Sequence, residues 1–178
     1  RWQATAAQPS ETVVEDPAQA KILNATKISG RTQKGFGVGV LNAITQRQYT
    51  KFRDKVTDAT RKEESMPLTN YNVFVLDQTL KHNSSISLVN TNVWRSGDAY
   101  DANVTSALFD LNDKKNTWNV GGNVSFSNIL GRDGKNTTGY AHSIYFGKTS
   151  GRFNFNVWQD LYNDKYDKSD LGYFTNNN

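Results

Sequence analysis

From residue 118 to residue 127 apolar and polar side chains alternate without a break. Trp118, Val120, Gly122, Val124 and Phe126 fall on one side, with Asn119, Gly121, Asn123, Ser125 and Ser127 on the other. A period of two marks a strand with one apolar and one polar face. The pattern returns at Phe153, Phe155 and Val157 against Asn154, Asn156 and Asp160, with Trp158 as the exception. Looser versions predict strands over about 21–31, 36–46, 70–80, 85–95, 104–111 and 140–148. In the second of these, Gly37, Gly39 and Ala43 share a face opposite Phe36, Val38, Val40 and Ile44. Small residues there let a neighbouring group approach the backbone closely. The third is apolar on both faces (Tyr71, Val73 and Val75 against Phe74, Leu76 and Leu80), which predicts burial on two sides or packing inside a barrel.

The connections differ by end. Tight turns are predicted at 32–35, 81–84, 112–116 and 149–151, and long polar stretches at 47–68, 96–103, 127–139 and 163–178. The 47–68 stretch is charged through Arg61-Lys62-Glu63-Glu64 and leaves room for a short helix. A soluble sandwich has little reason to sort loop length by end. An outer-membrane barrel does, with short periplasmic turns and longer extracellular loops. The polar strand faces are rich in Asn, Ser and Gly rather than Lys and Glu, which suits a lumen or a hydrogen-bonded plug. The expected fold is therefore all-β: an antiparallel, up-and-down transmembrane β-barrel segment, about eight strands of a larger barrel. Residues 1–19, with Pro9, Pro17 and several acids, read as a loop or linker, and 20–178 as the barrel part. If the tight turns are periplasmic, the segment begins and ends outside. Bacterial barrels of one chain keep both termini inside, so the barrel is expected to be incomplete at both ends.

Composition changes this picture little. The 178 residues amount to about one domain. Mean hydropathy is -0.70, and no apolar run approaches the ~20 residues of a spanning helix. Barrel strands average out as polar in the same way. A hydrophobic fraction of 36% is low for a closed core of this size, but tolerable if one face of each strand meets water. The absence of cysteine excludes disulfides and thiolate metal sites. The net charge of +4 is spread along the chain, so no nucleic-acid partner is expected.

Candidate chemistry is sparse. His82 and His142 are the only histidines, about sixty residues apart, and form no metal or catalytic motif. Gly35, Gly37 and Gly39 are followed by no helix, which removes a phosphate-loop reading. No serine sits in a nucleophile-elbow motif. Asn-x-Ser/Thr triplets at Asn24, Asn83, Asn103, Asn123 and Asn136 are what so Asn-rich a chain gives by chance. Asp164, Asp167 and Asp170 recur every third residue, and oxygen ligands in a loop can hold calcium. They are the candidate metal ligands, and calcium the one candidate cofactor. Against them, the spacing is not that of an EF-hand, and Lys165 and Lys168 fit an ordinary acidic loop. Trp94, Tyr100, Tyr162, Tyr166, Tyr173 and Phe174 lie near the long-loop ends, and Trp118 and Phe153 near the short-turn ends. Two such belts are expected of an interfacial girdle. The rival reading makes the first set sugar-stacking platforms.

Longer words add a resemblance. Lys34-Gly35-Phe36-Gly37-Val38-Gly39-Val40 and Pro67-Leu68-Thr69-Asn70-Tyr71-Asn72-Val73-Phe74 stand beside the stretches at 22–32, 90–93, 100–105, 148–151 and 169–172. Together they resemble a family of Gram-negative surface proteins with an N-terminal carbohydrate-binding-like module and a C-terminal outer-membrane β-barrel of unknown function. Residues 1–19 and 47–66 match poorly. The resemblance implies location in the bacterial outer membrane and names no catalytic residue. The expected function is a non-enzymatic barrel that captures or passes a glycan-related ligand, or serves in a surface transport or secretion assembly. Its expected partners are the lipid bilayer or lipopolysaccharide, a glycan ligand, or other outer-membrane subunits. One alternative is a soluble carbohydrate-binding β-sandwich using Trp94 or Trp158. A third is a glycoside hydrolase drawing two carboxylates from Asp77, Asp110 and Asp160, whose separation the sequence does not fix.

Overall fold

The structure, a computed structural model, describes residues 7–17 and 19–169, and every regular element among them is a β-strand. These are β1 (Glu11–Glu15), β2 (Ile22–Arg31), β3 (Phe36–Thr45), β4 (Gln48–Asp54), β5 (Thr60–Met66), β6 (Thr69–Thr79), β7 (Ser85–Arg95), β8 (Asp101–Asn112), β9 (Trp118–Leu130), β10 (Asn136–Lys148) and β11 (Phe155–Tyr162). Eight of them form one sheet in the order β11-β10-β9-β8-β7-β6-β3-β2, with every neighbour antiparallel. The up-and-down path follows the predicted strands. The eight-stranded sheet does not close into a barrel within the described residues, since β2 and β11 stand at its opposite edges.

Local chemistry sets the hairpins. His82 and Asn83 both have positive φ (61° and 55°), and the Ser84 amide donates to Lys81 O at 3.3 Å. Two left-handed central residues give the turn whose twist matches paired strands. Between β2 and β3, Gly35 at φ 81° donates its amide to Thr32 O at 3.0 Å.

Four stretches depart from expectation. The charged 47–68 excursion holds no helix; it is the β4–β5 hairpin. Residues 11–15, expected in a loop or linker, pair with β4 and complete a second sheet in the order β1-β4-β5. Arg61 bridges these strands: its Nη2 reaches Glu11 Oε2 at 2.7 Å, it also pairs with Glu63, and its guanidinium stacks 4.5 Å over Phe52. The stretch at 127–139 is mostly strand, because β9 runs to Leu130 and β10 starts at Asn136, and the last three residues of 96–103 belong to β8. Polar residues at those strand ends hid the pairing. Among the described residues only the β4–β5 insertion remains long, so loop length does not separate the two ends of the sheet cleanly there; 170–178 of the expected 163–178 stretch lie outside the described residues.

There is almost no core. Among the described residues the buried apolar side chains are Phe52, Val93, Ala99, Ala102, Ala141 and Tyr166. The register explains where the other apolar groups go. One face of the large sheet carries Ile28, Val38, Phe74, Leu76, Ile86, Leu88, Phe126, Ile144, Phe146 and Val157, all exposed. Its strand charges are Asp101 and Lys148, at strand ends. Lys27, Arg31, Asp77, Arg95, Asp110 and Asp160 lie on the other face. That face holds the buried small residues Thr45, Thr69, Ala102, Ser125, Ser127 and Ala141.

Candidate functional site

The covered face carries the polar chemistry, gathered toward the tight turns. Tyr145 on β10 lies across Gly121 on β9, its direct cross-strand partner, and a Cβ at 121 would overlap the ring. An aromatic laid over a strand glycine shields backbone that has no side chain of its own. The Tyr145 hydroxyl donates to Asp110 Oδ2 at 2.6 Å, while Asp110 Oδ1 accepts Asn119 Nδ2 at 2.8 Å and Asn112 Nδ2 at 3.0 Å. Asp110 is thus held by three donors from three strands. Two strands away, Asp77 pairs with Arg31 and accepts the Ser87 hydroxyl at 2.9 Å. Arg31 also donates to Thr79 Oγ1 at 2.6 Å and Gly35 O at 3.2 Å. Around Asp110, across β7 to β10, is an open trough of about 420 Å³, lined by Ser85, Ser87, Asp110, Asn123, Ser143 and Tyr145 among others. Hydroxyls, an amide, a carboxylate and a phenol can hydrogen-bond a hydroxylated solute. They do not form a nucleophile–base pair, because His142 lies on the opposite face, across from Val124 and Leu161.

The apolar face has a feature of its own. Thr26, Asn42, Asn72, Asn92, Asn103, Asn128 and Thr138 stand directly opposite one another across seven consecutive strands. Some of them are tied together, while Asn92 Oδ1 is buried without a hydrogen-bond partner. Asn42 Nδ2 reaches Asn72 Oδ1 at 2.8 Å and Asn70 Oδ1 at 2.6 Å, Asn90 and Asn103 exchange bonds at 3.2 Å, and Thr138 donates to Asn128 at 2.8 Å. Below this row, toward the tight turns, Trp118, Phe146, Phe155 and Phe153 cluster, with Trp118 stacked on Phe146 at 5.6 Å.

The chain matches a family described as a domain of unknown function (DUF5916) over residues 2–178. The chain belongs to the DUF5916 family. No curated protein and no solved structure matches it. The DUF5916 description specifies neither a carbohydrate-binding module nor an outer-membrane barrel.

Placement of the residues singled out in the sequence is mixed. Asp77, Asp110 and Asp160 all sit on the covered face of the DUF5916 sheet, and the first two are tied into the networks above. Of the calcium candidates, Asp164 is exposed, and Asp167 Oδ1 accepts the Ser169 amide at 2.8 Å. Asp170 lies outside the described residues. Among the described residues no three His, Asp or Glu side chains gather as a metal site. Trp94 is exposed on the apolar face. Tyr162 and Tyr166 are not on it; their rings meet at a tilt with centroids 6.1 Å apart, and Tyr166 is buried against the covered face. Tyr100 lies under the Arg95 guanidinium, 4.5 Å from its centroid. Tyr173 and Phe174 lie outside the described residues. The Tyr145–Gly121–Asp110 unit and the asparagine row escaped sequence reading. Their only signal is cross-strand register, which one strand's alternation does not contain.

Proposed function

We propose that this DUF5916 chain forms part of the wall of a β-barrel in the bacterial outer membrane, non-enzymatic, with its covered face turned to a polar interior. One observation carries the reading: the face with the bulky aliphatic and aromatic side chains is both exposed and nearly free of charge, while charges and small polar residues collect on the other. Lipid is the solvent in which that arrangement is stable. Strand length agrees, since β6 to β10 have 11 to 13 residues where a spanning strand needs about 9–11. A two-sheet sandwich would bury its apolar faces against each other, and here that face stays open. The trough and the networks around Asp77 and Asp110 fit capture or passage of a hydroxylated, glycan-related ligand, alone or within a surface transport or secretion assembly. Lipid and lipopolysaccharide are the partners of the outer face.

The native chain has no cysteine, so single cysteines can be introduced and labelled with an environment-sensitive dye. In vesicles, labels at positions 124, 126, 144 and 146 should report an apolar environment, and those at 123, 143 and 145 a polar one. Heat-modifiable migration and recovery in the membrane fraction should accompany this. Recovery in the soluble fraction, with both sets of labels equally wet, would refute the reading.

A further inference from the structure

We infer that residues 163–169 form a strap folded into the barrel interior, constricting it through a socket shaped for the Tyr166 ring. The inference rests on the barrel reading above. β11 ends at Tyr162, and the Asn163 amide still pairs with Tyr140 O at 3.0 Å. The chain then reverses. Asn163 Oδ1 accepts the Lys165 amide at 2.8 Å, and Asn163 O accepts that of Tyr166 at 3.0 Å. A side chain that binds the backbone two residues on is a turn signal asparagine provides well. The reversal lays the strap over β9 and β10 on the covered face.

The strands beneath have given up side-chain volume at that spot. Ser127 pairs with Gly139, and Ser125 with Ala141, so four small residues form one patch. A Cβ at Gly139 would overlap the backbone of Lys165 and Tyr166. Ser125 and Ser127 are 4% and 1% exposed, and Tyr166 7%. Polar contacts fix the fit: Tyr166 bonds the Ser125 side chain, Ser125 and Ser106 share a hydrogen bond at 2.7 Å, and the Asp167 amide donates to Ser127 Oγ at 3.0 Å. Lys168 Nζ lies 5.7 Å over the Tyr162 ring. A segment that only joined strands would have no need to cross this face. Seated there, it adds a layer about 5–10 Å thick to the interior, at the end away from the tight turns. Leaving the socket, it would widen the passage without disturbing a strand pair.

The test uses the full chain in planar bilayers, with trypsin cleavage at Lys165 and Lys168 reporting whether the strap is seated. Tyr166→Ala removes the ring, and Gly139→Val removes the space, by independent routes. Both should raise single-channel conductance roughly twofold or more and speed cleavage about tenfold. Tyr166→Phe keeps the ring and should stay close to the parent in conductance. Faster cleavage with parental conductance overturns the constriction, and unchanged cleavage in both variants overturns the socket. Protein that enters vesicles but conducts in no variant overturns the inference and leaves the barrel reading standing. A parent that does not enter vesicles removes both.

Discussion

The two faces of the large sheet share one backbone and one hydrogen-bond ladder, yet they are built for different surroundings. On the apolar face the side chains are bulky and touch little protein. Leu88 is 44% exposed and Phe126 50%. On the covered face they are small or polar and tied to one another, as at Ser106–Ser125, Asp77–Ser87 and Asp110–Tyr145. In water the first face would be a large liability and would be expected to find a partner sheet. On the proposed reading, the contrast puts the stabilising medium for this chain outside the polypeptide. Packing energy has to come from whatever wets the apolar face, and internal hydrogen bonds organise the other.

The largest effect should come from putting a charge on the wrong side. Leu88→Arg in β7 is expected to cost about 2–4 kcal/mol in vesicles, or to block insertion, if the residue lies near mid-bilayer. Ser143→Arg in β10, on the covered face, should change stability by about 0.5 kcal/mol or less. Urea titration of the heat-modifiable band measures both. Equal penalties would erase the distinction between the faces.

A smaller effect tests the polar side from within. Gly121→Val places a side chain where the Tyr145 ring lies and should displace the Tyr145–Asp110 bond, at about 1–3 kcal/mol. Tyr145→Phe keeps the ring and loses only the hydroxyl, for roughly 1 kcal/mol. Urea midpoints in which the valine variant matches the parent would mean the ring can sit elsewhere without loss.

Asn72→Leu sharpens the boundary on the apolar face. If the asparagine row marks the polar edge of a lipid-facing band, a leucine there extends the band and should gain roughly 1 kcal/mol in vesicles. Asn42 keeps its bond to Asn70 in that variant. A loss of similar size, read from the same urea titration, would place the row in water.

Much of the sheet was legible because alternation is a property of single strands. Trp118 to Ser127 declared both faces of β9, and Asn and Gly positions located the hairpins. The 47–68 hairpin was not legible. Arg61-Lys62-Glu63-Glu64 shows no apolar alternation, since β5 is held by ion pairs and by Arg61 over Phe52 rather than by a greasy face. The apparent long loops failed for a related reason: strand ends such as Asn128 and 136–138 are polar, and they lie at or beyond the asparagine row. The trough was half visible. Asp77, Asp110 and Asp160 were singled out, but Tyr145 joins Asp110 only through the register of β8, β9 and β10.

The smallest effect separates the two sheets by pH. Asp54, at the turn after β4, accepts the Thr57 amide at 2.8 Å, the Val56 amide at 2.9 Å and the Thr57 hydroxyl at 3.0 Å. These bonds, the Thr57 amide foremost, pull its carboxyl from 3.8 down to about 2. Glu11 is also held below its ordinary value, first by the Arg61 side chain and then by the Gln8 amide. A depressed folded pKa means that the unfolded state binds the proton first as pH falls. The stabilisation from Asp54 is therefore complete above the ordinary carboxylate value and disappears as pH drops from 3.8 toward 2. Amide hydrogen exchange over 11–15 and 48–54 should accelerate across that window, after correction for the intrinsic acid rate, while 118–130 and 136–148 keep their protection. Asp54→Asn removes the titrating group and should flatten the Asp54 part of the response, leaving the part due to Glu11. If all four segments loosened together, the small sheet would share one cooperative unit with the large one, and the large sheet would extend its stability to the β4–β5 insertion.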